Sequence, residues 1–163
     1  MAEYRDIVVI GAGIAGMTAA IYAARAGKSV QVLECEGFGG QIASSPQVEN
    51  YPGIASVSGA ALSDAMYSQA SALGVQFSFA RAAGVQPQPD GGFVVPSDGG
   101  DFACRSVVLA AGARHKGLGL PREQELTGRG ISYCAVCDGA FYRGKTAAVV
   151  GGGSAALQSA EYL

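Results

Sequence analysis

Runs of consecutive apolar residues, rather than alternating ones, stand out along the chain at Ile7–Ile10, Val107–Ala110 and within Lys145–Val150. Runs of this kind are typical of parallel strands that are covered on both faces. The first and the last lead directly into glycine-rich segments, and sequences of helical character follow these segments. This repeated order of strand, tight turn and helix predicts an α/β fold with a parallel sheet.

The first repeat predicts a complete βαβ unit. A helix is expected from about Ile14 to Ala26, where Gly27 stops it. The next parallel strand is expected from Ser29 to Leu33 and ends at Glu34. Together with Ile7–Ile10, these elements form a Rossmann-like unit.

The middle of the chain predicts a long loop, a helix and an antiparallel layer. Residues 36–59 are rich in glycine and proline and too long for a simple connection, so we expect functional residues there. A helix from about Ala61 to Leu73 and a strand from Val75 to Ala80 follow. Phe93–Pro96 and Asp101–Arg105 flank an Asp-Gly-Gly turn signal and predict a small antiparallel layer.

The second repeat is shorter than the first. A strand is expected over Lys145–Val150 and a helix from the next glycines to Leu163, but no returning strand follows. With a boundary between Leu118 and Glu125, residues 1–118 form a first domain and residues 119–163 the start of a second. We expect further residues or another polypeptide to complete that second domain.

Composition and charge narrow the classes of function. The 163 residues are 49% hydrophobic and 15% charged and include 25 glycines, which indicates a globular α/β protein. The net charge of -2, with scattered basic residues, argues against a nucleic-acid partner. The start of the chain is acidic where a signal peptide is basic, and Ile7–Ile10 is too short to cross a membrane. We expect a cytoplasmic protein without a membrane partner.

Cys134 and Cys137 form a Cys-x-x-Cys motif, whose thiols can close and reopen a disulfide. No metal site is expected, because the other cysteines stand alone and the chain has one histidine. Asp138 directly follows the motif. Its carboxyl group is a candidate general acid for a departing thiolate, although a helix cap or a solvated charge is an equally simple role.

Two glycine fingerprints indicate nucleotide binding. Gly11, Gly13 and Gly16 follow the first strand, and Glu34 lies where a carboxylate accepts hydrogen bonds from a ribose. In such a fingerprint the first glycine makes the turn, the second admits the pyrophosphate and the third lets helix and strand pack closely. The second fingerprint is the variant formed by Gly151, Gly153 and Ala156, which does not distinguish NAD from NADP.

Six motifs in a fixed order resemble the low-molecular-weight thioredoxin reductases: GAGIAG, GFGGQI, VENYPG, LAAGA, CAVCDG and GGGSAA. The resemblance covers essentially the whole chain as the N-terminal half of that family. It implies an FAD-binding domain followed by the start of an NADPH-binding domain. The residues it assigns to cofactors are Gly11, Gly13, Ile14, Ala15, Gly16, Glu34, Gly40, Gln41, Asn50, Val85, Ala111, Gly112, Gly151, Gly153, Ser154, Ala155 and Ala156.

The resemblance also implies an electron path and a partner. In that family NADPH reduces FAD, the flavin reduces the disulfide, and the resulting dithiol reduces thioredoxin. By position, Cys137 would face the flavin, Cys134 would attack the partner disulfide, and Asp138 would act as the acid. A homodimer is expected on the same ground.

Two departures from the family limit what we expect of this polypeptide. Ala111 replaces the threonine that usually precedes the glycine of the ATG motif, and the family's 2′-phosphate-reading arginines and returning C-terminal segment are absent from these residues. We therefore expect poor FAD binding and no turnover with NADPH by this chain alone.

Two alternative functions remain open. An FAD-dependent dithiol oxidase shares FAD and the Cys-x-x-Cys motif but passes electrons to oxygen, so peroxide evolution with a dithiol and no nicotinamide would favour it. A non-catalytic subunit of a two-chain assembly is the other alternative. Co-purification with a second polypeptide would favour that one.

Overall fold

The computed structural model describes residues 4–45, 47–89 and 91–163. The chain divides into two compact units, one up to Gly112 and one from Ala113 to Leu163. Among the residues described, no helix is long and apolar enough to cross a membrane.

The first unit is built on one six-stranded sheet with the order β3-β2-β1-β6-β5-β4. Strands β1, β2, β3 and β6 run parallel to one another, and β4 and β5 extend the sheet as antiparallel strands. The strand bounds are Arg5–Ile10 for β1, Val30–Glu34 for β2, Gln76–Phe79 for β3, Gln86–Pro87 for β4, Phe93–Val95 for β5 and Phe102–Leu109 for β6.

Two helices cover one face of this sheet, α1 over Ile14–Arg25 and α2 over Gly59–Ala72. Side chains alternate along β1, so that Val9 joins the core beneath the helices and Val8 joins a second core on the other face. Burial on both faces explains why β1 has the continuous apolar run from which it was predicted. The parallel sheet and its flanking helices confirm the predicted Rossmann-like class.

The second core lies beneath the antiparallel strands. Val8 and Leu33 of the parallel sheet pack there with Val95 and Cys104, and Cys104 is completely buried. The predicted antiparallel layer is therefore present, as an extension of the same sheet.

The prediction of two separate strands over Asp101–Arg105 and Val107–Ala110 is wrong, because β6 is continuous. Its first half pairs antiparallel with β5, where Cys104 lies opposite Phe93, and its second half pairs parallel with β1, where Val107 lies opposite Val8. The two pairings overlap at Cys104, which also lies opposite Arg5 of β1.

The second unit, all of whose residues the structure describes, contains three α-helices and one 3₁₀ helix. These are α3 over Glu123–Leu126, α4 over Ala135–Asp138, the 3₁₀ helix over Gly139–Tyr142 and α5 over Ser154–Tyr162. The predicted strand Lys145–Val150 is not formed. A strand exists only when a neighbour accepts its backbone hydrogen bonds, and no strand of this unit is described. No residue from Ala113 to Leu163 is buried, so the unit has no core of its own.

Candidate functional site

The first glycine turn joins β1 to α1 at the carboxyl end of the parallel strands. Gly11 has a φ of 104°, and a methyl group there would lie 2.3 Å from the Ala110 carbonyl oxygen. A methyl group at Gly16 would lie 1.9 Å from the Gly11 carbonyl oxygen. Both glycines are required by contacts within the chain, as the fingerprint predicts for its first and third positions.

Gly13 differs from these two glycines. It precedes α1 with extended backbone, and a methyl group there would meet nothing closer than 3.9 Å. The fold of this chain therefore does not require glycine at position 13. The start of α1 beside Gly13, where Ile14 and Ala15 lie, offers backbone amides that suit a phosphate group.

A second glycine-rich turn lies against the first. The Gly39 amide donates to the Ala12 carbonyl oxygen at 2.8 Å, and a methyl group at Gly40 would come within 3.2 Å of the Gly13 Cα atom. Gly39 also lies against Ser63 of α2, where a methyl group would meet the hydroxyl oxygen at 2.1 Å. The backbones of the two glycine turns are thus in contact beside Gly13.

Glu34 joins these turns through its carboxylate. Its Oε2 atom accepts a hydrogen bond from the Ala12 amide at 2.8 Å, and its Oε1 atom accepts from the Cys35, Glu36 and Gly37 amides. The carboxylate was predicted to read a ribose. In this structure it accepts a hydrogen bond from the Ala12 amide of the first glycine turn, a contact that spacing along the sequence does not reveal.

Gln41 and Asn50 are exposed and lie in the loop between β2 and α2. Gln41 is in a short 3₁₀ helix, Gly40–Ser44, directly after the second glycine turn. Asn50 lies within a segment closed by an antiparallel bridge between Val48 and Val57. Because Val48 is buried in the main core, this segment is anchored and Asn50 is held at its surface.

Ala111 and Gly112 come after β6 at the carboxyl ends of the parallel strands, and Val85 directly precedes β4. Val85 packs against the core that contains Leu33, the residue before Glu34. Ala111 follows β6 beside the first glycine turn, with its Cα atom 3.3 Å from where a Gly11 methyl group would lie. The structure thus brings the first fingerprint, Glu34 and Ala111 to one edge of the sheet, between strands β1 and β6, where this topology binds ligands.

The redox motif of the second unit is closed as a disulfide between Cys134 and Cys137, with Cα atoms 5.3 Å apart. Cys134 precedes α4 and accepts hydrogen bonds at its carbonyl oxygen from the Cys137 and Asp138 amides. The Cys137 amide also lies 3.1 Å from the Cys134 sulfur. One helical turn therefore brings the two sulfurs together, and the N–H group of Cys137 points at Cys134.

Asp138 is held beside the disulfide by Ser132. The Ser132 hydroxyl donates to Asp138 Oδ2 at 2.5 Å, and its oxygen accepts from the Cys134 amide at 3.0 Å. This arrangement ties the Asp138 carboxylate through Ser132 to the backbone of Cys134 and leaves it partly exposed. Sequence reasoning named Asp138 but missed Ser132.

The second glycine fingerprint has the backbone shape of the first. Gly151 has a φ of 130°, and Gly153 precedes α5 with extended backbone, as Gly13 precedes α1. Ser154 and Ala155 form the first turn of α5, where they were predicted. The Ala156 methyl group fits here, at 3.3 Å from a methyl group built on Gly151, whereas the first turn requires glycine at the matching position.

The sequence matches the family described as pyridine nucleotide-disulphide oxidoreductase over residues 5–163. The chain belongs to this family.

Thioredoxin reductases are prominent among its relatives. The thioredoxin reductase of Bacillus subtilis (strain 168) is 45% identical over 160 residues, which are 97% of this chain and 50% of that protein. That of Listeria monocytogenes is 42% identical over 97% of this chain and 49% of its own length. The chain spans about half the length of the curated relatives it matches.

A solved structure gives the same result. The thioredoxin reductase from Streptococcus pyogenes MGAS5005 superposes with a TM-score of 0.81 at 40% identity, covering 98% of this chain and 52% of that one. The fold prediction and the resemblance to thioredoxin reductases are thus confirmed.

The second unit contains a cluster of interacting side chains that sequence reasoning missed. It is formed by Glu123, Tyr133 and His115. The Tyr133 hydroxyl donates to Glu123 Oε1. This hydrogen bond is the largest cause, and the bond from the Leu118 amide the second largest, that lower the pKa of the Glu123 carboxyl to about 2. The same bond raises the pKa of Tyr133. His115, expected to be a solvated loop residue, is exposed but stacks on the Tyr133 ring. The available signal was an acid at the start of a helix after glycine-rich residues.

Proposed function

We propose that this chain is the FAD-binding and disulfide-bearing part of a flavoprotein disulfide oxidoreductase that reduces thioredoxin or a thioredoxin-like protein. The observation that carries the proposal is the closed Cys134–Cys137 disulfide in the same chain as a preformed dinucleotide turn. The names of the relatives support thioredoxin as the partner.

The residues present fit FAD. A methyl group would fit at Gly13, so the fold itself does not require glycine there. The start of α1 offers backbone amides to a pyrophosphate. The ADP half would be held by Gly11, Gly13, Gly16 and Glu34, with the Val85 backbone at the adenine, and Gly40, Gln41 and Asn50 would lie nearer the flavin. When bound, FAD supplies the chemistry that carries an electron pair from NADPH to the Cys134–Cys137 disulfide.

The chain's own thiols then perform two exchange steps. The Cys134 thiolate attacks the partner disulfide, so a bond to one partner sulfur forms while the partner disulfide breaks and its other sulfur takes up a proton. The Cys137 thiolate next attacks the Cys134 sulfur, restores the disulfide and releases the second partner thiol. Two electrons pass to the partner, and Asp138, held by Ser132, delivers a proton to a departing thiolate.

The remaining assignments extend this proposal. NADPH would bind at Gly151, Gly153, Ser154, Ala155 and Ala156, and the complete enzyme would be a cytoplasmic homodimer. The 163-residue polypeptide alone would bind FAD poorly, since Ala111 stands where the family's motif has threonine, and it would have no turnover with NADPH, because the second unit has no buried residue to support its nucleotide turn. Full flavin absorbance and steady NADPH-dependent disulfide reduction by the purified chain would overturn this part.

A trapping experiment tests the disulfide chemistry without a bound cofactor. In a Cys35→Ser background, the reduced Cys137→Ser variant is mixed with oxidised thioredoxin, and adducts are identified by mass spectrometry. Iodoacetamide is added to cap the thioredoxin thiol that the attack releases. We then expect a mixed disulfide through Cys134 that persists, because neither Cys137 nor the capped thiol can resolve it, and far less adduct with the matched Cys134→Ser variant. Equal trapping by both variants, or by neither, would contradict the assigned roles.

A pair of glycine variants tests the nucleotide turn. Gly13→Ala should change the stability by at most about 1 kcal/mol, because a methyl group fits, yet weaken FAD binding by about tenfold or more. Gly37→Ala is the matched control, since nothing lies within 4 Å of a methyl group there. FAD fluorescence titration measures both variants, and equal affinities would argue against a phosphate at Gly13.

A further inference from the structure

The loop before the redox pair lies in a unit that has no buried residue. Apolar packing is therefore limited around Cys134, although the Leu163 side chain lies against Gly139. Polar contacts of the residues around it add to this support. Ser132 provides one such contact to Asp138, six residues away, and Tyr133 provides another that reaches Glu123, ten residues away.

Glu123 is itself a fixed anchor. Its Oε1 atom accepts from the Leu118 amide at 2.7 Å, and its Oε2 atom accepts from the Gly119 and Leu120 amides at 2.7 and 3.1 Å. A carboxylate that receives three amide donors has its orientation set by the backbone. The turn before α3 thus orients Glu123 Oε1 toward Tyr133, the residue before Cys134.

Tyr133 is held at two points along its side chain. Its hydroxyl donates to Glu123 Oε1, and its ring stacks on the His115 imidazole with centroids 5.1 Å apart and planes 8° from parallel. Because Tyr133 directly precedes Cys134, a fixed tyrosine side chain restricts the backbone that carries the first sulfur. The bond from Tyr133 lowers the pKa of the Glu123 carboxyl, so the carboxylate stays ionised below its ordinary value of 4.5.

We propose that Glu123 and Tyr133 are positioning residues for the Cys134–Cys137 pair, and that they hold the backbone of Cys134 where its sulfur meets that of Cys137. The inference rests on the proposed function only in taking this pair as the redox centre. Two thiols held at bonding distance have a high effective concentration. Loss of the Glu123–Tyr133 hydrogen bond should therefore shift the equilibrium from the Cys134–Cys137 disulfide toward the dithiol.

Equilibration of the full chain with glutathione tests this inference, and it needs no FAD, NADPH or thioredoxin. The reduced chain and glutathione disulfide give the Cys134–Cys137 disulfide and two molecules of glutathione, so two electrons and two protons pass from the chain to glutathione. The fraction oxidised is read by alkylation and mass spectrometry. A failure of the proposed function with thioredoxin would leave this equilibrium unaffected.

Tyr133→Phe is the decisive variant, because it removes one oxygen and retains the ring that stacks on His115. We expect its equilibrium constant for disulfide formation to fall by about threefold or more, with a similar fall for Glu123→Gln. Because the two residues act through one bond, the double variant should fall no further than either single variant. Tyr142→Phe is the matched control, a tyrosine on the other side of the motif, and should leave the constant unchanged.

Two outcomes would overturn the inference. One is a Tyr133→Phe constant equal to that of Tyr142→Phe, and the other is an additive fall in the double variant. If Glu123→Gln also disrupts the Leu118–Leu120 turn, Tyr133→Phe alone decides. Absorbance titration of the tyrosines adds a spectroscopic check, since Glu123→Gln should lower the pKa of Tyr133.

Discussion

Gly11 and Gly151 both adopt positive φ, and Gly13 and Gly153 both precede a helix with extended backbone, so the two glycine turns have the same local shape. Their surroundings differ. The first turn follows a strand paired on both sides, whereas the second follows residues that form no strand. A glycine fingerprint therefore sets its own turn, but the neighbouring strands decide whether the apolar run before it becomes part of a sheet.

The third fingerprint position carries the largest expected difference between the turns. Gly16→Ala should destabilise the first unit by about 4 kcal/mol, because its methyl group would overlap backbone. The reciprocal Ala156→Gly should cost the second unit about 1 kcal/mol of helix stability at most. Urea unfolding followed by circular dichroism measures both, and similar losses would mean that both turns are packed equally tightly.

Core truncations compare the two units directly. Met17 of α1 is completely buried, so Met17→Ala should lower the free energy of unfolding by about 3 kcal/mol. Leu157 of α5 is 65% exposed, and Leu157→Ala should change it by no more than about 0.5 kcal/mol. A loss at Leu157 comparable to that at Met17 would reveal a packed core in the second unit.

These contrasts also explain what the sequence could predict. The apolar run of β1, the glycine turn and Glu34 follow from local pattern and spacing, and all were found where expected. The predicted strand over Lys145–Val150 was not found, because a strand forms only beside a neighbouring strand, and the local sequence pattern does not show whether one is present. The Glu123–Tyr133 bond was missed for a related reason, because it joins residues across a turn whose shape the sequence does not give.

Glu34→Gln should have a smaller effect on the first unit, of about 1 kcal/mol. The amide side chain keeps one oxygen acceptor but turns donors toward amides that now donate to Glu34. Exchange of the Ala12 amide, followed by nuclear magnetic resonance, should become faster than in the unsubstituted chain. Unchanged protection of the Ala12 amide would indicate that the Glu34 carboxylate does not fix the first glycine turn.

Acid should affect the second unit through Glu123, with the smallest expected change. Because the pKa of Glu123 is lowered from 4.5 to about 2, its stabilising contribution is complete above pH 4.5 and is lost as the pH falls toward 2. Tyr133 resonances should change over this interval. In Glu123→Gln that transition should be absent, and a transition centred near 4.5 in the unsubstituted chain would contradict the bond to Tyr133.

Native-state hydrogen exchange of the whole chain tests most directly the claim that one glycine turn is supported by a core and the other is not. We expect the amides of Val8, Val9 and Val32 to exchange only through global unfolding, and those of Ala147–Val150 to exchange with little protection. Comparable protection of Ala147–Val150 and of β1 would contradict the account.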